Sequence, residues 1–286
     1  MAAVDILLTT GCEKRPASPS GSGEPQSCTR VVSVAPSITE IICALGATNQ
    51  LVGRSTACDY PESITGRIPV IGEFGIPSME RVLHLKPNML FFTDLADKGI
   101  PERLREAGVT PVHIQCAHVD DVPAAIRSVG RRLGRIETAE KLASSIESRI
   151  AGYRARNTPR SHRPRVLVLI WSDPLTAVGR NSFLNELVTL AGAVNVAEDV
   201  DRDYFTVSSE WVVTQNPDAI FCFFMSNGMT ERSTLESRPG WNGVSAVKTG
   251  RIYDHMDNNL ILRPGPRMIQ GIEVIAARLQ QAHEKP

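Results

Sequence analysis

Two segments of this chain repeat one pattern of residues, 130 positions apart. Residues 74–92 read FGIPSMERVLHLKPNMLFF, and residues 204–222 read YFTVSSEWVVTQNPDAIFC. Without a gap, the repeat pairs Phe74 with Tyr204, Ser78 with Ser208, Glu80 with Glu210, Val82 with Val212 and Pro87 with Pro217. Because each copy is one supersecondary unit, the repeat predicts a fold of two lobes with similar build.

Each copy predicts a short helix that feeds a buried strand. Ser78 and Ser208 are suited to cap the helix by accepting a hydrogen bond from a backbone N–H, and the glutamate two residues later lies in the first turn. A Lys-Pro-Asn or Asn-Pro-Asp sequence then ends the helix, because the residue before a proline disfavours the helical conformation. The apolar runs 89–92 and 219–224 are typical of interior strands.

The beginning of the first half predicts another strand and helix. Residues 31–34 form a valine-rich run, which we interpret as a strand. Ser37 and Glu40 follow at the spacing of a capping box, so they predict the start of a helix. This helix is expected to end at Gly46, because glycine readily adopts the left-handed conformation that follows a helix C-terminus.

The second half has the same order of elements, a strand followed by a helix, with a longer connection between them. Residues 165–171 are the predicted strand, and residues 172–183 are predicted to be a loop because they contain Pro174 and Gly179. A helix over residues 186–190 then leads into Gly192, which has the role of Gly46 in the first half. The two halves therefore match beyond the repeat itself.

A long amphipathic helix is predicted between the halves. Between residues 137 and 155, apolar side chains recur at helical spacing: Ala139, Leu142, Ala143, Ile146, Ile150 and Tyr153. Such a helix is roughly 30 Å long and would be a rigid connection rather than a flexible hinge. The predicted organisation is a tether over residues 1–29, an N-terminal α/β lobe over 30–135, an interlobe helix over 136–157 and a C-terminal α/β lobe over 164–284.

Composition and motifs exclude several classes of function. The 31 basic and 31 acidic residues give a formal net charge of +0, which provides no electrostatic basis for binding nucleic acid. The sequence has no G-x-S-x-G, phosphate-loop or H-E-x-x-H motif, so an enzyme is not predicted. The six cysteines form no C-x-x-C pair, and no metal site is predicted from them. His113, Cys116 and His118 resemble a metal cluster, but the period of a strand would place His113 on the opposite face.

The N-terminus resembles the end of a bacterial lipoprotein signal. A short apolar stretch precedes Cys12, and a segment rich in Ser, Pro and Gly follows it. Two interpretations remain open: export with lipidation at Cys12, or an ordinary cytoplasmic N-terminus with a disordered tail. We favour export, because a tether of this composition after a lipidated cysteine would hold the protein at a membrane.

Four segments resemble one family in detail: RVVSVAPSITEIICALG at 30–46, ACDYPES at 57–63, FGIPSMERVLHLKPNMLFF at 74–92 and NELVTLAGAVNV at 185–196. With two lobes and a long connecting helix, they are similar to the substrate-binding proteins of ABC importers for cobalamin, haem and ferric siderophores, and most to the cobalamin-binding members. The resemblance implies an α/β fold with a ligand cleft between the lobes that closes only slightly. It also implies a periplasmic, lipid-anchored protein that is a monomer in isolation.

The resemblance implies two kinds of functional residue. Glu80 and Glu210, one per lobe, occupy the places of surface glutamates that dock onto arginines of an ABC permease dimer, which works with its ATPase. From spacing alone, both are better explained as first-turn carboxylates favoured by the helix dipole. Ligand contacts are implied for the aromatic residues Phe74, Phe92 and Tyr204, whose faces would cover a flat macrocycle.

At some of the remaining ligand positions this sequence has a different residue from the cobalamin-binding members. Other candidates are residues that the resemblance does not specify. Ala57 stands where the best-known members have tyrosine, and Leu260 stands where they have tryptophan. Trp171, at the end of a predicted strand, is expected in the crevice at the strand ends. Arg263 would pair with a propionate or phosphate, and Asp94 with an amide of a corrin ring.

The expected function is capture of a corrinoid for delivery to the permease, with no intrinsic cofactor. Haem or a ferric siderophore is the alternative ligand. A tetrapyrrole metal chelatase is a weaker alternative, because it would need a His and a Glu facing into the cleft as proton acceptors. A sensor or scaffold that kept the fold and lost transport is the third class.

Overall fold

The computed structural model describes residues 29–156, 163–224 and 232–281. The predicted lipidation site Cys12 and nearly all of the predicted tether lie outside these ranges. In the described part of the chain, no helix is both long and apolar enough to cross a membrane. The fold is α/β with two sheets, as the sequence predicted.

The first lobe is a mostly parallel sheet with helices on both faces. Its elements are β1 (Val31–Ser33), α1 (Pro36–Ala44), β2 (Leu51–Ser55), β3 (Val70–Glu73), β4 (Ile76–Pro77), α2 (Met79–His84), β5 (Met89–Phe92), α3 (Ile100–Glu106), β6 (Thr110–His113) and α4 (Asp121–Arg132). The strand order is β4-β3-β2-β1-β5-β6, and only the β3–β4 pair among them is antiparallel. Helix α5 (Ile136–Arg156) then leaves this lobe.

The second lobe has a similar sheet. Its elements are β7 (Arg165–Ser172), β8 (Leu175–Val178), α6 (Phe183–Leu190), β9 (Val194–Asn195), β10 (Tyr204–Thr206), α7 (Ser209–Gln215), β11 (Ala219–Cys222), α8 (Arg232–Glu236), α9 (Ser245–Lys248), β12 (Ile252–Tyr253), α10 (Asn258–Ile261) and α11 (Met268–Gln281). The strand order is β10-β8-β7-β11-β12, with β9 paired to the beginning of β7. The prediction of a loop over 172–183 was wrong, because β8 forms an antiparallel hairpin with β7 there.

The repeat predicted from the sequence is present in three dimensions. The Ser78 hydroxyl accepts from the Arg81 N–H and the Ser208 hydroxyl accepts from the Trp211 N–H, so both predicted helix caps are confirmed. Lys86 and Asn216, which stand 130 positions apart, both have positive φ, at 47° and 44°. A non-glycine residue in this conformation is uncommon, and here it ends the helix before the proline in each copy.

An arginine at the beginning of the first strand of each lobe makes an equivalent contact: Arg30 directly precedes β1, and Arg165 is the first residue of β7. Arg30 Nη2 donates to the Leu85 carbonyl at the end of α2 (2.8 Å), and Arg165 Nη1 donates to the Gln215 carbonyl at the end of α7 (2.8 Å). Gln215 stands 130 positions after Leu85. Both arginines therefore satisfy a helix C-terminal carbonyl that has no partner within the helix.

The predicted capping box was wrong. Helix α1 begins at Pro36 with Ala35 as its N-cap, and no side chain caps it. Proline suits the first turn because its missing N–H would have no partner there. Ser37 and Glu40 therefore lie inside the helix, and both are buried.

One hydrophobic core runs through both lobes. Alternate residues of the strands point to opposite faces, so Val31 and Phe91 face this shared core while Val32 and Leu90 face a smaller outer core of the first lobe. The shared core continues through apolar residues of α1, α4, α5, α6 and α11, such as Ile38, Ile126, Ile146, Leu187 and Ile272. The helices between the two sheets thus form one packed layer, and α5 is its central member.

Candidate functional site

The cleft is located by the places where the two lobes touch. In the first lobe these places include the loops after β2 and β6: the Ala57 carbonyl accepts from Arg263 Nη2 (3.1 Å), and the Val119 N–H donates to Glu186 Oε2 (2.7 Å). Because β1, β2, β5 and β6 are parallel, the loops after them share the C-terminal edge of the sheet. That edge therefore faces the second lobe, and ligands of open α/β sheets bind beyond such edges.

A buried ionic cluster around Glu40 joins the lobes. The Glu40 side chain is 2% exposed and accepts from Arg267 (Nη2–Oε1, 2.6 Å) and Arg263 (Nη1–Oε1, 3.1 Å). Arg263 also donates to Asp59 (Nη1–Oδ1, 2.7 Å), and the Arg267 guanidinium lies 3.7 Å from the centroid of the Tyr60 ring. Burial acts to raise the pKa of Asp59, but the hydrogen bond and charge of Arg263 outweigh it and lower that pKa. The cluster fixes the end of the second lobe on the first.

A second polar contact joins the lobes at the loop after β6. His118 Nδ1 and Glu186 Oε1 are 2.6 Å apart, and their side chains are 54% and 29% exposed. The hydrogen bond to Glu186 raises the pKa of His118 above its ordinary value of 6.5, and the charges of Glu186 and Asp121 act in the same direction. Protonated His118 is therefore favoured in the folded protein.

We expect this contact to stabilise the protein more at acidic than at alkaline pH. Because the folded pKa of His118 is raised, its stabilising contribution is complete below the unfolded pKa and is lost as the pH rises through the folded pKa. The measurement is urea unfolding of the wild type and His118→Asn at pH 5.5 and pH 9, with His84→Asn on α2 as the control. A stability difference between wild type and His118→Asn that is equal at both pH values would contradict the assignment.

An Asp–His pair lies at the C-terminal edge of the first-lobe sheet. Asp94 follows β5, His113 ends β6, and His113 Nε2 lies 2.6 Å from Asp94 Oδ1; the side chains are 43% exposed for His113 and 61% for Asp94. The Phe92 ring packs against the His113 ring with centroids 5.3 Å apart. Phe92 is only 8% exposed and belongs to the outer core, so little of its surface is available to a ligand.

Phe74 lies in the turn between β3 and β4. It is 39% exposed, and its neighbour Gly75 accepts a hydrogen bond from the Asp97 N–H (3.2 Å), which holds the loop after β5 against the β3–β4 turn. Ile76 and Leu95, which flank this contact, are 64% and 73% exposed. Exposed apolar side chains therefore flank the contact between this turn and the loop after β5.

Trp171 and Tyr204 are exposed aromatic residues of the second lobe. Trp171 lies near the end of β7, is 38% exposed and donates from Nε1 to the Asp173 carbonyl (2.8 Å), which orients the indole ring. Tyr204 begins β10 and is 47% exposed. Exposed aromatic rings on an edge strand and at a strand end offer flat surface to a ligand, and few other described residues do.

Two other predicted ligand residues have structural contacts instead of free surface. Leu260 on α10 is half-buried and packs against the shared core. Arg263 is engaged by Glu40, Asp59 and the Ala57 carbonyl, as described above. Their roles as ligand contacts remain predictions.

The sequence interpretation of His113, Cys116 and His118 rested on a strand that is shorter than expected. Because β6 ends at His113, the other two residues lie in the following loop, and the two histidines bind different carboxylates. Burial raises the pKa of the Cys116 thiol to about 12, so this thiol stays protonated. Within the described ranges, no group of three or more His, Cys, Asp or Glu side chains is placed to hold a metal ion.

The predicted docking residues lie at matching positions on the outside of the lobes. Glu80 is in the first turn of α2 and Glu210 is in the first turn of α7, and both are exposed. A hydrogen bond to Ser208 lowers the pKa of Glu210, so this carboxylate is charged at neutral pH. Beside Glu80, a depression of about 280 Å³ is lined by Pro69, Val70, Ile71, Glu80, Arg81, His84 and Leu85.

Several residues of the site were missed by sequence reasoning. Glu40 was interpreted as part of a cap, and Arg267 and Glu186 were given no role. Their partners lie 227 residues away for Glu40–Arg267 and 68 residues away for Glu186–His118, and no local pattern reports such contacts. One sequence signal could have predicted the Asp–His pair, since the two residues stand at the C-terminal ends of neighbouring strands, and such ends of parallel strands meet at one edge of the sheet.

Comparisons with known proteins agree with this architecture. The sequence profile of a family described as "Periplasmic binding protein" matches residues 31–258. A Bacillus subtilis (strain 168) protein named as an uncharacterized ABC transporter substrate-binding lipoprotein, YvrC, is 29% identical over 254 residues, covering 86% of this chain and 78% of the relative. A vitamin B12-binding protein of Pectobacterium carotovorum subsp. carotovorum (strain PC1) is 27% identical over 254 residues, covering 87% and 88%.

A solved structure gives the same result for the fold. The periplasmic heme-binding protein RhuT from Roseiflexus sp. RS-1, in its apo form, superposes with a TM-score of 0.77 at 28% identity. The alignment covers 90% of this chain and 99% of that one. The similarity therefore extends over both lobes and the helix layer between them.

Proposed function

This chain belongs to the periplasmic binding protein family, and on that premise we propose that it captures a corrinoid in the interlobe cleft and delivers it to an ABC permease dimer. The family is one of binding proteins, and the relatives described above include substrate-binding components of ABC transporters. The observation that supports the ligand class is the exposure of the aromatic rings Trp171 and Tyr204 in the second lobe and of apolar side chains such as Phe74 in the first.

The charges near the cleft support a corrinoid over haem. Haem carries two propionates, which need cationic partners, whereas a corrin ring is surrounded mainly by neutral amides. The guanidinium groups of Arg263 and Arg267 are already bound by the buried carboxylate of Glu40, and Arg263 is also bound by Asp59. Withdrawing either arginine from Glu40 would leave a buried charge without its partner, which is costly.

Haem is the second candidate, and one observation favours it. The haem-binding protein from Roseiflexus is as similar in sequence to this chain as the B12-binding relative, at 28% and 27% identity. In that case the propionates would bind outside the Glu40 cluster. Export and lipid anchoring through Cys12 also belong to the proposal, since the YvrC relative is named as a lipoprotein.

Calorimetry with cyanocobalamin, haemin and a ferric siderophore tests the ligand class directly. We expect heat of binding with cyanocobalamin and a weaker or absent signal with the other two. Replacing Trp171 and Tyr204 together by alanine should weaken binding about 30-fold, which corresponds to about 1 kcal/mol for each aromatic ring.

The control is Leu83→Ala combined with Val213→Ala, which removes exposed apolar side chains on α2 and α7, away from the cleft walls. This variant should bind like the wild type. Heat with haemin alone would reject the corrinoid and retain the haem alternative, and equal affinity of the Trp171/Tyr204 variant would place the ligand elsewhere.

A further inference from the structure

We propose that the two lobes bind the permease with unequal strength, and that the second lobe provides the stronger contact. The difference lies in two docking segments, residues 80–88 of the first lobe and residues 210–218 of the second, which begin with Glu80 and Glu210. This inference rests on the proposed function, because it requires delivery of the ligand to a permease dimer. It adds that the duplicated docking surface differs in charge between its two copies.

The two docking segments carry net charges of opposite sign. The first contains one acidic residue, two residues of the Lys and Arg type and a neutral histidine, so its formal charge is +1. The second contains two acidic residues and no basic residue, so its formal charge is −2. In each differing pair the first-lobe residue is the more basic or the less acidic one. These pairs stand 130 positions apart: Arg81/Trp211, His84/Thr214, Lys86/Asn216 and Asn88/Asp218.

In the first lobe, basic side chains lie close to Glu80. Glu80, Arg81 and His84 line the same depression, and all three are exposed. Lys86 is also exposed and follows the last turn of α2, six residues after Glu80, which corresponds to about 9 Å along a helix. The Debye length at physiological ionic strength is about 8 Å, so these positive charges reduce the attraction of Glu80 for a cation.

In the second lobe, the matched residues are neutral and have structural contacts. The Trp211 ring is half-buried and packs edge-on against an aromatic ring of β10, with centroids 5.6 Å apart. Thr214 Oγ1 donates to the Glu210 carbonyl (2.9 Å), and Asn216 Oδ1 accepts from the first backbone N–H of α9 (2.8 Å). These three positions therefore bring no positive charge near the Glu210 carboxylate.

The fourth pair keeps its geometry while its charge changes. The Arg30 N–H donates to Asn88 Oδ1 (2.6 Å), and the Arg165 N–H donates to Asp218 Oδ2 (2.8 Å). The side chains of the two arginines also make the same contact with a helix C-terminal carbonyl in both lobes, so they do not contribute to the difference. The change from amide to carboxylate adds a negative charge to the second lobe alone.

A symmetric partner makes this difference in charge a difference in binding. A permease dimer with two-fold symmetry presents the same group to both lobes, and a group that pairs with an exposed carboxylate carries a positive charge. That cation meets a segment of charge −2 in the second lobe and of charge +1 in the first. The second lobe therefore attracts the permease more strongly, both during the approach and in the complex.

Binding of the purified protein to the permease–ATPase complex in lipid nanodiscs tests this inequality. At about 0.05 M salt, Glu210→Ala should weaken docking about 10-fold more than Glu80→Ala, and the difference should shrink at about 0.5 M salt because exposed charges are screened. Arg81→Gln combined with Lys86→Asn should strengthen docking about 10-fold, since each exposed charge contributes about 3-fold. Thr214→Lys, which adds a positive charge to the second lobe, should weaken docking about 3-fold.

The matched control is Lys141→Gln, which removes an exposed positive charge of α5 outside both docking segments and should dock like the wild type. Thermal unfolding followed by circular dichroism should be close to that of the wild type for every variant, which shows that each is folded. Equal weakening by Glu80→Ala and Glu210→Ala, or a difference that persists at high salt, would overturn this inference and leave the proposed delivery standing. A wild type that does not bind the permease complex would overturn both.

Discussion

Replacing Glu80 and Glu210 together by alanine is expected to abolish ligand uptake while leaving ligand affinity unchanged. Both carboxylates are exposed, stand at equivalent positions of the repeat and lie in helix first turns on the outside of the lobes. A permease dimer with two-fold symmetry presents the same surface twice, so a single-chain partner must offer one matching contact per lobe. The measurement is uptake of labelled ligand in cells that carry the permease, together with calorimetry on the purified variant.

Each single replacement should leave partial uptake, because one of the two contacts remains. The control is Glu102→Ala combined with Glu137→Ala, which removes two first-turn glutamates of α3 and α5 without a match in the repeat. That control should transport like the wild type. Normal uptake by the Glu80/Glu210 variant would show that these glutamates have only a helix-dipole role.

The docking surface extends beyond the two glutamates. Leu83 and Val213 stand three residues after Glu80 and Glu210, which places each pair on one face of its helix. Both are apolar, and they are 42% and 38% exposed. We therefore expect the permease to meet one carboxylate and one apolar side chain on each lobe, so loss of the apolar pair should weaken docking less than loss of the charges.

Glu40→Ala is expected to destabilise the protein by about 3 kcal/mol. Removing one partner of a buried ion pair leaves the other charge uncompensated, and such changes cost about 3 to 5 kcal/mol. The Arg263 and Arg267 side chains are 12% and 13% exposed, so partial access to water favours the lower end of this range. With a urea dependence of about 3 kcal/mol per M, the unfolding midpoint should fall by about 1 M.

Glu140→Ala is the control for this measurement. Glu140 also binds an arginine, since Arg127 donates to it through Nη2 (2.8 Å), but its side chain is 58% exposed and the pair lies on the surface. Surface ion pairs contribute little to stability, so this variant should unfold close to the wild type. Equal urea-unfolding midpoints for Glu40→Ala and Glu140→Ala would mean that the ionic cluster around Glu40 is uncharged or accessible to water in the wild type.

What the sequence predicted correctly depended on local chemistry. The serine caps at Ser78 and Ser208 and the strand over residues 89–92 each follow from residues adjacent in the chain. The fold class followed from the repeat and is confirmed by the two sheets and the structural relative. Gly46 and Gly192 end their helices with φ of 68° and 98°, as the glycine positions indicated.

What the sequence did not predict depended on distant contacts. Glu40 has the spacing of a capping residue, but burial against two arginines from the end of the second lobe decides its role. Pro174 and Gly179 indicate a loop, yet β8 forms between them because its backbone pairs with both β7 and β10. The Asp94–His113 pair joins residues 19 positions apart whose meeting depends on strand register.

The packed layer of helices makes the two halves one cooperative unit. Because apolar residues of α1, α5, α6 and α11 belong to a single core, neither half can lose its tertiary structure without exposing the other's interior to water. We therefore expect the two halves to unfold together in a single transition, although the sequence and the architecture both show the internal duplication. A molecule held in the groove would protect both halves against heat alike, by mass action, wherever its own contacts lie.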